Sequence, residues 1–547
     1  MVTRGEEAAG RETVKKTVFF LIFFILIGSY FGLCQELEPE EPEIVLPSVI
    51  LEIEDLSTEL VTAALPEEED LMIPEPQFPL PTAGELEVGE PDIDFILPQT
   101  GAPMFQLKEG KYLTAEAVLG AGSVNQFYSR ISLYFLGDKP EGKLLFEHET
   151  LDGFSSEPAG SGYNIREDRL ESALSFKLGR ASLSPEGTFS EQERGLQGNG
   201  TYFSKINRLV DASLETNIPI SDLFNLRSDL DASSARQLLT AETTTADETD
   251  EYYVASTLAG EFRFRRLNFS IEPGFSYRSV PEASDLTVGR GHLRGFFGAD
   301  ITDRYRFDSS FGWFWSEPTG HLFPFEAMFN VFLTDFFSFR LGGGYRIVEY
   351  NLKDVFSDLP LADVPTVLED NHGWIFMTGF HWIPLQGWIL NTSLHFMDNR
   401  HLPNVGETLD PITGLFPFSQ DEMQTLTLEA GARWNVTESF STRTGFQTEL
   451  LSKPNFHPGL RVYMDANLVQ RQGKYGGGAS LNFLSGVNNS DQFPILNMNG
   501  FIRFNDYVRF TTEIDDVLYP LLERPRYYWD PYVDPGFTLK AKVHINF

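Results

Sequence analysis

From about residue 110 to its end, the chain repeats short segments in which apolar and polar residues alternate. In the last segment, Phe537, Leu539, Ala541, Val543, Ile545 and Phe547 form one face, and Thr538, Lys540, Lys542, His544 and Asn546 form the other. A period of two places alternate side chains on opposite faces of a β-strand. After residue 34 no apolar run approaches the roughly 18 residues of a membrane-spanning helix. The chain is therefore predicted to form sheet whose two faces meet different media.

The connections between these segments differ in length in a regular way. Short polar turns, each followed by apolar or aromatic residues, occur at 301–305, 333–337, 436–440 and 504–508, and longer polar connections at 151–168, 232–250, 351–371 and 398–422. Short turns at one end, long loops at the other and aromatic flanks are typical of a transmembrane antiparallel β-barrel. We predict an all-β barrel of about 22 strands (20–24) over residues 107–547. An even number places both barrel ends on the short-turn side.

The first 34 residues are predicted to be a signal peptide. Lys15 and Lys16 precede an apolar run, Thr17 to Leu33, and Gly32 and Cys34 supply small residues for cleavage before Gln35. Two alternatives remain: an uncleaved inner-membrane anchor, and a lipidated Cys34. All three indicate a chain exported through the Sec route.

Residues 35–106 have a different composition. They contain 19 acidic residues, no Lys or Arg, and many prolines, as in Glu38-Pro39-Glu40-Glu41-Pro42-Glu43. Like charges and proline favour an extended, solvated chain. We expect a largely disordered periplasmic extension that precedes the barrel.

The extension contains a short acidic-then-apolar segment, which follows Thr58 and consists of Glu59, Leu60, Val61, Thr62 and Ala63. It resembles the box with which TonB-dependent receptors pair with TonB by strand addition. The alternatives are an apolar patch in a tether and a segment that folds into the barrel.

The terminal Phe547, at the end of an alternating aromatic strand, resembles the C-terminal signal of bacterial outer-membrane barrels. This resemblance implies assembly by the outer-membrane barrel machinery. A count of 22 strands is similar to TonB-dependent transporters, in which a globular plug closes the lumen. Here residues 35–106 are too short, acidic and proline-rich to be such a plug, so no substrate-binding residues are carried over from that family.

Candidate chemistry is sparse. The sequence lacks HExxH, G-x-S-x-G, P-loop and CxxC motifs, so neither an enzyme nor a cofactor is expected. One polar group is a metal candidate: a hairpin around Leu385-Gln386 would bring together His372, His401, Asp370 and Asp398 at the long-loop mouth. The alternative is that these residues are ordinary solvated surface.

The residues predicted to face the lumen carry mixed charges. The basic ones are Arg263, Arg265, Arg340, Arg346, Arg443, Lys540 and Lys542. Two interpretations remain open: a basic ring that favours anions, and structural pairing with lumen carboxylates.

These observations favour a conduit in the bacterial outer membrane, either porin-like or TonB-dependent-receptor-like, that takes up or passes solutes. The alternative is a surface adhesin or structural protein that acts through its long loops. The expected partners are outer-membrane lipid, the barrel assembly machinery and, as a candidate, TonB. A net charge of −37 argues against nucleic-acid binding.

Overall fold

A computed structural model of the chain describes residues 113–547, except 136–140, 155–156, 242–244, 282–285, 366, 471, 488–489, 492–493 and 523–525. The predicted signal peptide, the acidic extension and the TonB-box-like segment lie outside the described residues.

The described chain is a closed antiparallel β-barrel of 22 strands, the number that the sequence predicts. The first eleven are β1 Leu113–Gly122, β2 Phe127–Phe135, β3 Glu141–Asp152, β4 Asn164–Leu178, β5 Ala181–Gly195, β6 Ser204–Ser221, β7 Phe224–Thr240, β8 Thr245–Phe264, β9 Leu267–Ser279, β10 Val288–Thr302 and β11 Tyr305–Ser316. The others are β12 Phe325–Thr334, β13 Phe337–Val348, β14 Asn371–Trp382, β15 Trp388–Val405, β16 Phe418–Asn435, β17 Phe440–Glu449, β18 Leu460–Val469, β19 Tyr475–Val487, β20 Ile495–Arg503, β21 Val508–Asp515 and β22 Thr538–Asn546. Each strand pairs with the next, and β22 closes on β1 with Ala117 opposite Ile545. Closure leaves no sheet edge in lipid.

The alternation that the sequence shows is the inside–outside alternation of the barrel wall. On β22, Leu539 and Val543 are exposed on the outer face, whereas Lys540, Lys542 and His544 face inward and are nearly buried. The same pattern holds around the ring, where exposed Leu, Ile, Val, Phe, Tyr and Trp side chains cover the outside. An apolar outer band is what a lipid bilayer requires of a barrel.

Several strands continue beyond the apolar band, and two predicted loops are shorter than expected for this reason. Residues 232–250 belong mostly to β7 and β8, which are joined by 241–244, and about half of 398–422 belongs to β15 and β16, which are joined by 406–417. Crossing a bilayer takes about 9–11 residues, yet β8 has 20. Above the lipid the outer face carries ion pairs such as Arg208–Glu191 and Arg236–Asp250. Both faces are polar there, so the period-two signal disappears.

Among the described residues, four short β-segments and two helical segments lie outside the 22 strands. Gly320–Leu322 and Ser490–Asp491 extend the sheet beside β11 and β19, and Tyr527–Trp529 pairs with Tyr532–Val533 in the last long loop, which also contains the 3₁₀ turn Tyr519–Leu521. Helix α1, Leu352–Asp358, lies between β13 and β14 and begins with a capping box formed by Asn351 and Asp354. No helix within the described ranges is long and apolar enough to cross a membrane.

Candidate functional site

The charged residues that face the lumen are for the most part paired. Of the seven predicted, six face inward, and four of these have carboxylate partners: Arg263 with Glu261 (3.8 Å), Arg346 with Glu326 (2.8 Å), Lys542 with Glu513 (2.8 Å) and Lys540 with Glu149. For these four, the contacts are those expected of structural pairing with lumen carboxylates.

Arg265 was assigned to the lumen wrongly. It lies with Arg266 in the two-residue turn between β8 and β9, at φ +51°. Its guanidinium lies 5.8 Å from the centre of the Phe264 ring. The strand ends one residue earlier than predicted because a tight hairpin turn needs residues with positive φ.

Arg340 and Arg443 differ from the other four inward-facing cations of this set. Together with Arg433 they line a recess of about 720 Å³ in the wall formed by β12 to β18. Within the described part of the chain, none of the three has a carboxylate within 4.0 Å. The recess lies near the short-turn end, because it is lined by Ser338, the second residue of β13, and by His381, the last but one of β14.

The floor of this recess is shaped by glycine. Gly431 and Gly445 lie directly opposite each other on β16 and β17. A Cβ atom on Gly445 would lie 2.5 Å from the Tyr463 hydroxyl, and one on Gly431 would lie 3.1 Å from it. The missing side chains let the Tyr463 ring lie along the wall, and the Arg443 guanidinium lies over it, 5.0 Å from the ring centre. A cation–π contact of this kind orients the guanidinium without neutralising it.

The recess also carries further polar side chains and one acid. The polar side chains are Asn330, Ser338, His381, Asn391 and Ser393. The acid is Glu429, which accepts a hydrogen bond from the Ser393 hydroxyl at 3.4 Å. Three guanidinium groups against one carboxylate leave the recess with a positive charge.

At the opposite end of the barrel, the connection between β13 and β14 folds across the mouth. This segment, residues 349–370, is called the inward loop. It is held by side chains from the far wall: Arg278 donates to the carbonyls of Tyr350 (2.7 Å) and Leu368 (2.9 Å), and Lys205 donates to that of Ala362 (2.6 Å). Buried donors that are bonded to backbone carbonyls hold a loop in place, because water cannot reach and replace the bonds.

A buried ion pair completes the attachment of the inward loop. The Arg290 guanidinium donates to both oxygens of Asp370, at 2.7 and 3.1 Å. The Glu251 carboxylate on β8 accepts from the backbone N–H of Leu352 (2.8 Å), at the start of α1.

The inward loop shares an apolar core with other long loops. We call the assembly of residues 196–203, 349–370, 406–417 and 516–537 the cap. Its core consists of Leu196, Leu239, Leu359, Leu361, Ala362, Val405, Leu415, Phe416, Trp529 and Tyr532. The Phe416 and Trp529 rings stack with centres 4.5 Å apart, and Gln197 exchanges two hydrogen bonds with the backbone of Val533. Loops from distant strands therefore meet over the mouth.

The four metal candidates lie near the mouth but have separate partners. Asp370 is paired with Arg290, His372 Nδ1 is 2.6 Å from the Tyr345 hydroxyl, His401 Nε2 is 3.1 Å from Glu369, and Asp398 accepts from Gln424 at 3.1 Å. Only the two histidine rings are neighbours, with centres 5.5 Å apart. Across the described ranges, no group of three or more His, Cys, Asp or Glu side chains is placed to hold a metal ion.

The predicted register of this hairpin is wrong by one residue. Asn399 lies opposite Gly373, not His372. The turn occupies residues 383–387 rather than a two-residue turn at 385–386, and a shift of one residue moves side chains to the other face. His381 and His395 remain apart, as predicted, since their cross-strand partners are Asn391 and Met377.

Phe547 lies at the seam of the barrel. It follows β22, its backbone N–H donates to the Ala115 carbonyl at 2.8 Å, and its side chain is exposed. That position is compatible with the predicted role as an assembly signal, which stays a prediction.

Sequence reasoning missed Arg433 and the cap. The short turn at 436–440 indicates a hairpin whose strands bring Arg433 close to Arg443, and in the structure the two are direct partners. The sequence also contains an indication of the cap. Its loops include apolar runs such as 359–362 and 414–418, and a fully solvated loop does not need apolar residues.

Comparison with known proteins reveals similarity of fold without similarity of sequence. No protein-family model matches the chain, and no curated protein matches it. Among solved structures, the ferric enterobactin receptor PfeA of Pseudomonas aeruginosa superposes with a TM-score of 0.62 at 10% identity, over 80% of this chain and 82% of the receptor. The siderophore receptor PirA of Acinetobacter baumannii gives 0.62 at 8% identity (80% and 81%), and the copper transporter OprC gives 0.61 at 11% (80% of each).

Proposed function

We propose that the protein is a capped conduit of the bacterial outer membrane that takes up solutes through the barrel lumen. The observation that carries the proposal is the combination of a closed 22-strand barrel with a folded cap anchored by buried charges. A cap held by Arg278, Arg290 and Asp370 has discrete bonds that a bound solute can exchange for its own. The fold similarity to two siderophore receptors and a copper transporter supports uptake, and the different cargoes in their names indicate that cargo depends on lining residues rather than on the fold.

Single-channel conductance in planar bilayers tests this function. The full chain should be mostly closed, whereas a variant whose residues 352–368 are replaced by a short Gly-Ser link should conduct in large steps. The matched control is the same replacement of 317–324, a loop outside the cap core. Each protein is measured with and without residues 35–106, so that closure by the extension is separated from closure by the cap. Silence from every variant would contradict the conduit.

A second function is favoured by the cap itself. Loops with a shared apolar core present a fixed outer surface, as a surface adhesin requires. If replacement of 352–368 abolished binding to cells or matrix while conductance stayed unchanged, this alternative would replace the conduit.

We also propose that TonB energises uptake through the segment Glu59 to Ala63. The support is the sequence pattern of an acidic residue followed by apolar ones. Deletion of these five residues should abolish energised uptake of the cargo but leave its binding to whole cells intact.

A further inference from the structure

We infer that Arg340, Arg433 and Arg443 form a carboxylate-binding site on the lumen wall near the short-turn end of the barrel. The inference begins with the charge balance of the wall. Several lumen arginines have acidic partners, such as Arg306 with Asp308 and Arg227 with Asp229 (both 3.0 Å), whereas Arg340, Arg433 and Arg443 have none within 4.0 Å among the described residues and line one recess together.

Two of the three arginines are neighbours of like charge. Arg433 and Arg443 are direct cross-strand partners, and like charges opposite each other destabilise a sheet. Asp465 is the register partner of Arg443 on β18, yet it does not come within ion-pair distance. A bound anion would relieve the repulsion between the two arginines.

The local geometry keeps the guanidinium groups available. The Tyr463 ring contacts the Arg443 guanidinium through a cation–π interaction. Gly379 gives space to Arg340, since a Cβ atom there would lie 3.2 Å from Arg340 Nε. A planar guanidinium presents parallel donors that match the two oxygens of a carboxylate. Asn391 and Ser393 add neutral polar groups that accommodate the rest of a polar ligand.

Carboxylates can reach this site from two sources: a free polycarboxylate in the lumen, and the acidic residues 35–106 of the chain itself. The chain enters β1 at Leu113 from the short-turn end, the end where the recess lies. A 22-strand barrel is roughly 44 Å across, from a strand spacing of about 4.8 Å and a tilt of about 40°. Asp94 precedes Leu113 by 19 residues, and an extended chain of that length reaches about 65 Å. The acidic residues are therefore within reach of all three arginines.

The first arm of the test is cleavage of the folded full chain by a glutamate-specific protease. If the site binds residues 35–106, the triple variant R340Q/R433Q/R443Q should be cut within them at least about tenfold faster than the natural sequence. The matched control, R263Q/R265Q/R266Q, removes the same charge at the same end of the barrel and should be cut at the natural rate. Raising the salt from 50 to 500 mM should accelerate cleavage of the natural sequence.

The second arm is titration calorimetry with citrate on the same three proteins. Citrate binding that the recess variant loses and the control keeps identifies a free polycarboxylate as the ligand. Arginine-dependent protection from the protease identifies the chain's own segment. Equal cleavage and equal citrate heats in all three proteins would overturn the inference, and heat-modifiable mobility on gels shows that each barrel is folded.

The inference rests on the lumen of the proposed conduit, but both arms measure binding rather than conduction. A barrel that never conducts would therefore refute the proposed function and leave this site standing.

Discussion

The buried ion pair between Arg290 and Asp370 is the contact whose loss should most weaken the inward loop. Arg290 is 1% exposed and Asp370 is 0% exposed. Removing one partner of such a pair costs about 3–5 kcal/mol, because the other charge stays buried. After Asp370→Asn, Arg290 keeps its bond to the Tyr350 carbonyl (2.9 Å) and lies 3.9 Å from Glu349. We therefore expect the lower limit, about 3 kcal/mol.

A loss of about 3 kcal/mol raises the open population of the loop by roughly a hundredfold. Hydrogen–deuterium exchange in detergent measures this population directly. The protection factors of the α1 amides (Leu352–Asp358) should fall by about that factor, whereas amides in β17 should not change. Asp303→Asn is the control, since its pair with Arg266 is exposed and such pairs contribute about 1 kcal/mol or less. Unchanged α1 protection in Asp370→Asn would refute the reasoning.

Three further perturbations follow from the described contacts. Gly445→Ala should displace the Tyr463 ring, withdraw the support of Arg443 and lower the free energy of unfolding by about 1–3 kcal/mol in urea titrations. Trp529→Ala should cost the cap about 3–5 kcal/mol, seen as faster amide exchange across the cap and more frequent conductance steps. Burial raises the pKa of Asp354 in α1, so the folded helix holds this proton more tightly than the unfolded loop. The Asp354 contribution to helix protection should then be fully present below about pH 4 and be lost as pH rises through the raised pKa, and Asp354→Asn should remove that contribution from the profile.

Each of these has a matched control in the chain. A Cβ atom on Gly459 meets nothing closer than 3.6 Å, so Gly459→Ala should leave the free energy of unfolding unchanged. Phe323 is 68% exposed, and Phe323→Ala should not alter exchange in the cap. Asp335 lies in a short turn, and Asp335→Asn should leave the pH dependence of α1 protection unchanged. An effect of equal size in a control and its partner would contradict the corresponding argument.

The strand number and the inside–outside alternation could be predicted because lipid imposes them locally. Wherever one face meets hydrocarbon, every second residue must be apolar, and Leu539 and Val543 on β22 show this without any knowledge of their neighbours. The same logic explains the failures. Around Arg236 and Asp250 the outer face meets water, the constraint vanishes, and strands were predicted as loop.

Pairing across the lumen could not be predicted from period and composition. Whether an inward arginine is neutralised depends on register, and register depends on turn geometry that a single residue can alter. One example is Asn399, which lies opposite Gly373 and not opposite His372 as predicted. Asp370 is another, because its partner Arg290 is 80 residues earlier in the chain and no local pattern joins them.

The cap and the arginine recess lie at opposite ends of the lumen, so an entering solute meets them in turn. Opening the cap breaks an apolar core and the Arg290–Asp370 pair. In the recess, no ion pair has to break before the three arginines can bind an anion. The main barrier to entry therefore lies in the cap. Changing a loop from 1% to 99% open takes about 5.5 kcal/mol of differential binding. Asp370→Asn supplies about half of that without any ligand, so it should produce a leaking barrel rather than a fully open one.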